Sequence, residues 1–459
     1  MISLDQVLGR AWCLIGLIVL CGTLISETSA QGDVIADALK GVSGQPAASE
    51  PDLSLQAILT IDFATGRYDE AVARLEPLSH SHANNPRVWF VLGAVQLQRR
   101  AWIEAISAAE RAIQIQPGWL QAHLLKAMAL MGAGHRDEAT HAFNRVVEIA
   151  PDDPMGYYQR ALFVINSGEP SPSDLRRAMA DLEQARKRGA PTAEVLTPLG
   201  LVHQKLQAPR QAEESFRRAL RENPTDLIAL GEYVALCDQA GRIAEANERL
   251  AEAVARVSAR AAEPEALAQL ALIQARHAIA TKARAETIEA AFRHAIALVP
   301  GQPISRFEFS NWLDQQGRTH EAIPLLKEGL RHPPFDPDLA ANLAWALAEA
   351  GTIADLDEAR HWLRVAQERE PNSPHLADTS AWIEHRAGDD AKAFEALRPA
   401  LPLADQLPEV AYHAGAILAG LGRRDEAIPY LRQALASGQS FPGIAEARSL
   451  LQSLSRPPR

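Results

Sequence analysis

The chain has 459 residues and only three cysteines, two of which, Cys13 and Cys21, lie in an apolar N-terminal stretch. With that stretch removed Cys237 would stand alone, which excludes an internal disulfide. Its inward-facing helical position suits a small buried apolar residue. Lysine is also scarce: seven residues, against a large majority of arginines, and no basic run is long enough to be a polybasic tract. With a net charge of −11, the chain lacks the basic surface that nucleic acids and anionic membranes require. Aromatic residues make up 5%, too few for a sheet protein built on β-branched and aromatic side chains. One long apolar run exists, Ala11 to Ile25, shorter than the roughly 17–25 residues of a membrane helix. Catalytic signatures are missing too. There is no H-E-x-x-H, Gly-rich phosphate loop, G-x-S-x-G or cysteine pair, so neither an enzyme nor a metal or cofactor site is expected.

What is present begins with a leader. Arg10 closes a short n-region, the run Ala11 to Ile25 follows, and Thr28-Ser29-Ala30 offers small residues before Gln31. Residues 1–30 therefore read as a secretory signal peptide, which implies an exported, periplasmic protein with no membrane span after cleavage. Asp5 weakens the positive n-region, and an uncleaved anchor in the inner membrane, facing the periplasm, is the alternative. Ile18-Val19-Leu20 before Cys21 lacks the small residue of a lipoprotein site. Residues 31–51, rich in Gly, Ala, Ser and Pro, read as a flexible linker.

From Leu53 a helical pattern runs almost to Leu454. Its clearest part is a pair of 34-residue blocks, PRVWFVLGAVQLQRRAWIEAISAAERAIQIQPGW and LQAHLLKAMALMGAGHRDEATHAFNRVVEIAPDD, covering Pro86 to Asp153. An alanine near the start of each second helix marks the register: Ala71, Ala105, Ala139, Ala178, Ala212, Ala246, Ile288 as a substitute, Ala322, Ala359, Ala393 and Ala427. Seven of the ten intervals are 34 residues; the others are 39, 42 and 37. Insertions are expected at Glu169–Ser173, around Ala278 to Glu286, and at Ile353–Leu356. Small residues (Gly93, Ala127, Ala161, Gly200, Ala344, Ala381, Gly415) stand where first helices must approach their partners. Phe143, Phe216, Phe292 and Leu431 fill the spaces between. Gly66, Gly241, Gly317, Gly388 and Gly422 stop first helices, because glycine takes the left-handed conformation cheaply. Pro117, Pro151, Pro224, Pro300, Pro334 and Pro371 stop second helices by withholding a backbone donor. Phe441 to Leu454, with Pro442 to start it, is expected to be one more helix capping the last apolar face.

A period of 34 residues with two helical half-units resembles the tetratricopeptide repeat. The resemblance covers about residues 52 to 454 and implies an all-α, right-handed superhelical solenoid of about eleven units. The implied domains are a repeat array over 52–440 and a capping helix with tail over 441–459. It further implies that first helices line a concave groove for partner segments. Carried over position by position, the groove holds Phe90, Ala94 and Leu97, then Leu124, Met128 and Met131, then Tyr158, Leu162 and Ile165. Farther on it holds Phe307, Asn311 and Asp314, then Trp345, then Asp378, Trp382 and His385, and then Tyr412. The early part is apolar and suits an amphipathic helix or extended apolar segment; the late part mixes aromatics with acids. Equally open is that the early residues are buried by superhelical packing, or that Trp345 and Trp382 are structural.

Chaperone-binding members of the family hold a C-terminal carboxylate with Lys and Asn. Here those places carry Phe90, Leu124, Tyr158 and Thr197, with Asn311 the one near match, so no such clamp is implied. His375, Asp378 and His385 share a helix face, as a weak metal patch or a solvated wall. The segments DTSAWIEHRAGDDAKAFEALRPAL, EVAYHAGAILAGLGRRDEAIPYLRQAL and FPGIAEARSLL look like the end of exported bacterial tetratricopeptide proteins of exopolysaccharide and cell-envelope export systems. Ser380-Ala381 departs from their usual Leu-Gly. The resulting expectation is a non-enzymatic scaffold whose partners are other cell-envelope proteins, in a process such as exopolysaccharide export or outer-membrane assembly. An anchored assembly adaptor is the alternative, and a carbohydrate binder or enzyme using the late groove a third.

Overall fold

A computed structural model of the chain describes residues 67–455, apart from 169, 260–263, 332–335, 351, 369–370, 439–440 and 442. The expected leader, the linker, the opening half of the first repeat with Gly66, and also Glu169, Pro334, Pro442 and residues 456–459 lie outside the described residues. Twenty-two α-helices and two short 3-10 turns make up the described part, with no strand among the described residues.

The helices divide into two units, with the boundary after Leu236. In the N-terminal unit, second helix α1 (Tyr68–Ser81) is followed by the hairpins α2 (Pro86–Gln98) with α3 (Trp102–Ile115) and α4 (Leu120–Gly132) with α5 (Arg136–Ile149). Then come α6 (Pro154–Asn166) with α7 (Pro172–Lys187), and α8 (Thr192–Lys205) with α9 (Pro209–Glu222). The boundary falls within α10 (Leu227–Gln239). The C-terminal unit continues with α11 (Ile243–Ala259), α12 (Pro264–Ala280) with α13 (Ala285–Leu298), and α14 (Pro303–Gln315) with α15 (Thr319–Gly329). It ends with α16 (Pro337–Ala350) and α17 (Leu356–Gln367), α18 (Pro374–Arg386) and α19 (Asp390–Leu397), α20 (Pro408–Gly420) and α21 (Arg424–Ala436), and a last helix α22 (Ile444–Ser455).

Each element follows from local chemistry. Proline opens α2, α6, α14, α18 and α20 at the first or second helical position, where its fixed φ suits the helix and its missing N–H is no loss. Asn85 and Asp153 cap α2 and α6 by accepting from the N–H of Arg87 and Met155, and Ser171 forms a reciprocal capping box with Asp174 on α7. Most of the turns after first helices carry one residue at positive φ. Gly134, Gly241, Gly317, Gly388 and Gly422 supply it, and Arg100, Gln207 and Lys282 take the same place without glycine. Those three hold a conformation that costs an L-residue about 1–2 kcal/mol, which the flanking helices must offset.

The register alanines are all buried, as is Ile288. So are the small residues Ala127, Ala161, Ala344 and Ala381, and the large residues Phe143, Phe216, Phe292 and Leu431 between them. Burial of each side chain the size of Leu or Phe contributes about 1.5–3 kcal/mol, so the apolar clusters running through each unit supply the cohesion.

Two irregularities fall where the intervals place them. The 39-residue interval is a longer turn after α6 and a 16-residue α7. The 37-residue interval is the 3-10 turn Ile353–Asp355 with a 14-residue α16. The 42-residue interval differs from expectation. The extra residues are not confined to the stretch around Ala278 to Glu286 but spread over two longer helices; α11 and α12 are each 17 residues, against 14 and 13 in α3 and α2. Alanine-rich sequence with high helix propensity extends helices rather than turns. The capping helix also starts later than expected, at Ile444 behind Gly443 at φ +81°. Phe441 is buried outside it, 5.9 Å from the ring of Tyr412.

Candidate functional site

The first helices carry the candidate residues, and each unit presents a different face. In the N-terminal unit Phe90 is buried with its ring 4.8 Å from Trp119, and Leu97, Leu162 and Ile165 are buried as well. Leu124, Met128, Met131 and Tyr158 are half-buried, packed at the margin of the apolar cluster of α4–α8. Burial pushes the Tyr158 hydroxyl well above its ordinary range, and the nearby Glu194 and Asp226 push it further. Thr197, at a place a carboxylate clamp would use, instead donates to Asp226 at 2.6 Å. The half-buried strip of Leu124, Met128, Met131 and Tyr158 is thus apolar surface that its own unit leaves partly open.

In the C-terminal unit the candidates join one network across α14, α16, α18 and α20. Asp314 is buried; its Oδ1 accepts from the Thr319 hydroxyl at 2.5 Å and from the Trp345 indole at 3.4 Å. Asn342 donates to Asn311 at 2.9 Å. Trp345 lies 5.5 Å from the ring of His413, which stacks at 4.2 Å on Trp382. His413 Nδ1 donates to both oxygens of Asp378, at 2.9 and 3.0 Å. The indole N–H of Trp382 donates to Glu349 at 2.7 Å, and Tyr412 packs 5.5 Å from the same indole. Trp345, Trp382, Asp378 and Tyr412 are all buried, while Phe307 is half-buried beside the cluster.

Charge is distributed unevenly here. Burial pushes the carboxyls of Asp314 and Glu409 above the usual carboxylate range, and Glu349 adds to the effect on Asp314. Burial would raise Asp378 too, but His413, by its charge and its hydrogen bond, draws the Asp378 carboxyl below that range. The trio His375, Asp378 and His385 does not assemble. Asp378 turns to His413, and His385 bonds Asp390 at the start of α19. Among the described residues no group of three or more His, Cys, Asp or Glu side chains is placed to hold a metal ion.

Partners of the candidate residues that a linear reading passes over (His413, Glu349, Thr319 and Asn342) come mostly from the neighbouring repeat. Asp314 meets Trp345, Glu349 meets Trp382 and Asp378 meets His413 at separations of 31, 33 and 35 residues. His277 meets Asp238 at 39. An acid and a donor about one repeat apart on equivalent helices is a signal that the sequence contains.

Tetratricopeptide-repeat family models match residues 60–118, 96–162, 315–383 and 408–437. No curated protein matches the chain. Among solved structures it is similar to PilW, described as a widely conserved type IV pilus biogenesis factor, at 16% identity and TM-score 0.34, over 58% of this chain and all of PilW. It is also similar to a tetratricopeptide repeat protein of Parabacteroides merdae, at 16% identity and TM-score 0.43, over 55% of this chain and 96% of that one. Pseudomonas aeruginosa PilF matches at 20% identity and TM-score 0.37, over 49% and 96%. At such values the likeness says nothing of partner or compartment. With family models on both units and the same helical hairpin recurring in each, the chain is a tetratricopeptide-repeat protein.

Proposed function

We propose that this chain is a non-enzymatic scaffold of the bacterial cell envelope, exported by its leader, which holds segments of other envelope proteins on the faces of its first helices. Repeats of this family bind proteins, and that much is common to them. The observation that carries the reading is the strip Leu124, Met128, Met131 and Tyr158, which stays half-buried after its own unit has packed. Methionine at such a place adapts to differently shaped apolar segments. Export rests on Arg10, the run Ala11 to Ile25 and Thr28-Ser29-Ala30 before Gln31. A role in exopolysaccharide export or outer-membrane assembly rests on the C-terminal sequence resemblance. No helix among the described residues is long and apolar enough to cross a membrane.

Photocrosslinking in cells tests the scaffold reading. A benzoylphenylalanine at Met131 or Leu124 should give discrete adducts with envelope proteins, and one at the exposed Glu148 of α5 should not. Identical adducts from Glu148, or none from either strip position, would count against it. Asp5 in the n-region favours the anchored alternative, and N-terminal sequencing separates the two: a start at Gln31 means cleavage, and retention of Ala11 to Ile25 means an anchor.

A further inference from the structure

The late first helices carry buried polar side-chain atoms without a hydrogen-bond partner. Asp314 lies on α14 with its Oδ2 buried and without a hydrogen-bond partner. One turn away Asn311 Nδ2 is buried and equally without a partner. An orphaned carboxylate oxygen inside a protein costs its full desolvation, and it is retained here although Asn, of the same shape, would remove the charge. Glu349, near the end of α16, is more open, 24% exposed, with its Oε2 3.9 Å from Arg386. Trp345 and Trp382 donate to these two carboxylates through their indole N–H groups.

We propose that this face of the C-terminal unit docks a lysine- or arginine-bearing extended segment of a partner protein, with the cationic group passing Glu349 to reach Asp314 Oδ2. This deepens the scaffold reading and rests on it. The segment's backbone supplies a carbonyl for Asn311 Nδ2, so both orphaned atoms are satisfied by one ligand. Burial raises the Asp314 carboxyl, and a cation placed beside it would lower it again.

Fluorescence anisotropy with the full chain tests this. The probes are labelled, end-blocked peptides of four Gly-Ser-Lys repeats and the same peptide with norleucine or glutamate for lysine. The lysine peptide should bind and the other two should not. Asp314→Asn and Glu349→Gln should each weaken binding at least about tenfold with the circular dichroism spectrum and melting unimpaired, and Glu148→Gln should leave it unchanged. Binding of the norleucine peptide at equal strength, or full binding by both variants, overturns the proposal, as does no binding by the wild type. So does a wild-type dimer in sedimentation that Asp314→Asn dissociates, since a second copy would then be the occupant. Crosslinks at Met131, in the other unit, stay in place if only the cationic reading fails; their absence is what removes the scaffold itself.

Discussion

Replacing Gly200 by alanine should loosen one hairpin without touching the rest of the array. Gly200 lies in the middle of α8, and a methyl built there would sit 2.3 Å from Cε1 of Phe216, 2.6 Å from Cδ1 and 2.7 Å from Cζ. Carbon atoms prefer about 3.5–4.0 Å, so the ring must retreat by about 1 Å. Phe216 is fully buried on α9. Overpacking of this kind costs about 1–3 kcal/mol. Alanine returns about 1 kcal/mol over glycine inside a helix. The net loss is up to about 2 kcal/mol, and in an array it is felt by the α8–α9 hairpin and its neighbours. Native-state hydrogen exchange reads this directly. Amides of α8 and α9 should lose protection by about 5–30-fold for each 1–2 kcal/mol, while those of α21 should not change. Adding Phe216→Leu should restore part of the loss, because the smaller side chain vacates the contact. Exchange in α8 and α9 as slow as in the wild type would mean that helix propensity outweighs close approach, and the role assigned to the small residues would be wrong.

Two further changes probe buried charge. Arg160 donates to both oxygens of Asp181 at 2.8 and 2.7 Å and to Asn144 at 3.0 Å, tying α6 to α7 and α5. Arg160→Met should cost about 3–5 kcal/mol by leaving Asp181 buried and unpaired, and Arg160→Met with Asp181→Leu should recover much of it; urea titration of both variants decides, and equal losses would refute the pairing argument. Asp314 gives a pH dependence. Its folded carboxyl lies above the unfolded value of about 3.9, so its contribution is complete below that pH and is lost as pH rises through the folded value. Asp314→Asn should therefore melt above the wild type at pH 7.5 and level with it at pH 3.5, and a gap that is the same at both would show that the carboxyl's ionisation is irrelevant.

The repeat was legible because it is enforced locally. The small residue near the start of second helices, the glycines Gly134, Gly241, Gly317, Gly388 and Gly422 after first helices and the prolines Pro117, Pro151, Pro224, Pro300 and Pro371 after second ones act within a few residues of themselves, and they stand where those helices begin and end. Gln207 and Lys282 show how far that legibility reaches. They occupy the left-handed turn position without any local preference for it, held there by the helices on either side. The 42-residue interval was visible as a length, yet whether its extra residues form a loop or longer helices depends on how α11 and α12 pack.

By itself the sequence determined the hairpin, its period and which residues line the first helices, since these follow from helix periodicity and turn chemistry. Only the tertiary structure decided which of those residues remain open. Leu124, Met128, Met131 and Tyr158 stay half-buried, while Trp345, Trp382 and Asp378, at corresponding faces, are covered by His413, Tyr412 and their neighbours. The reason is that cover comes from the side chain one repeat away, and whether it reaches depends on how adjacent first helices stack.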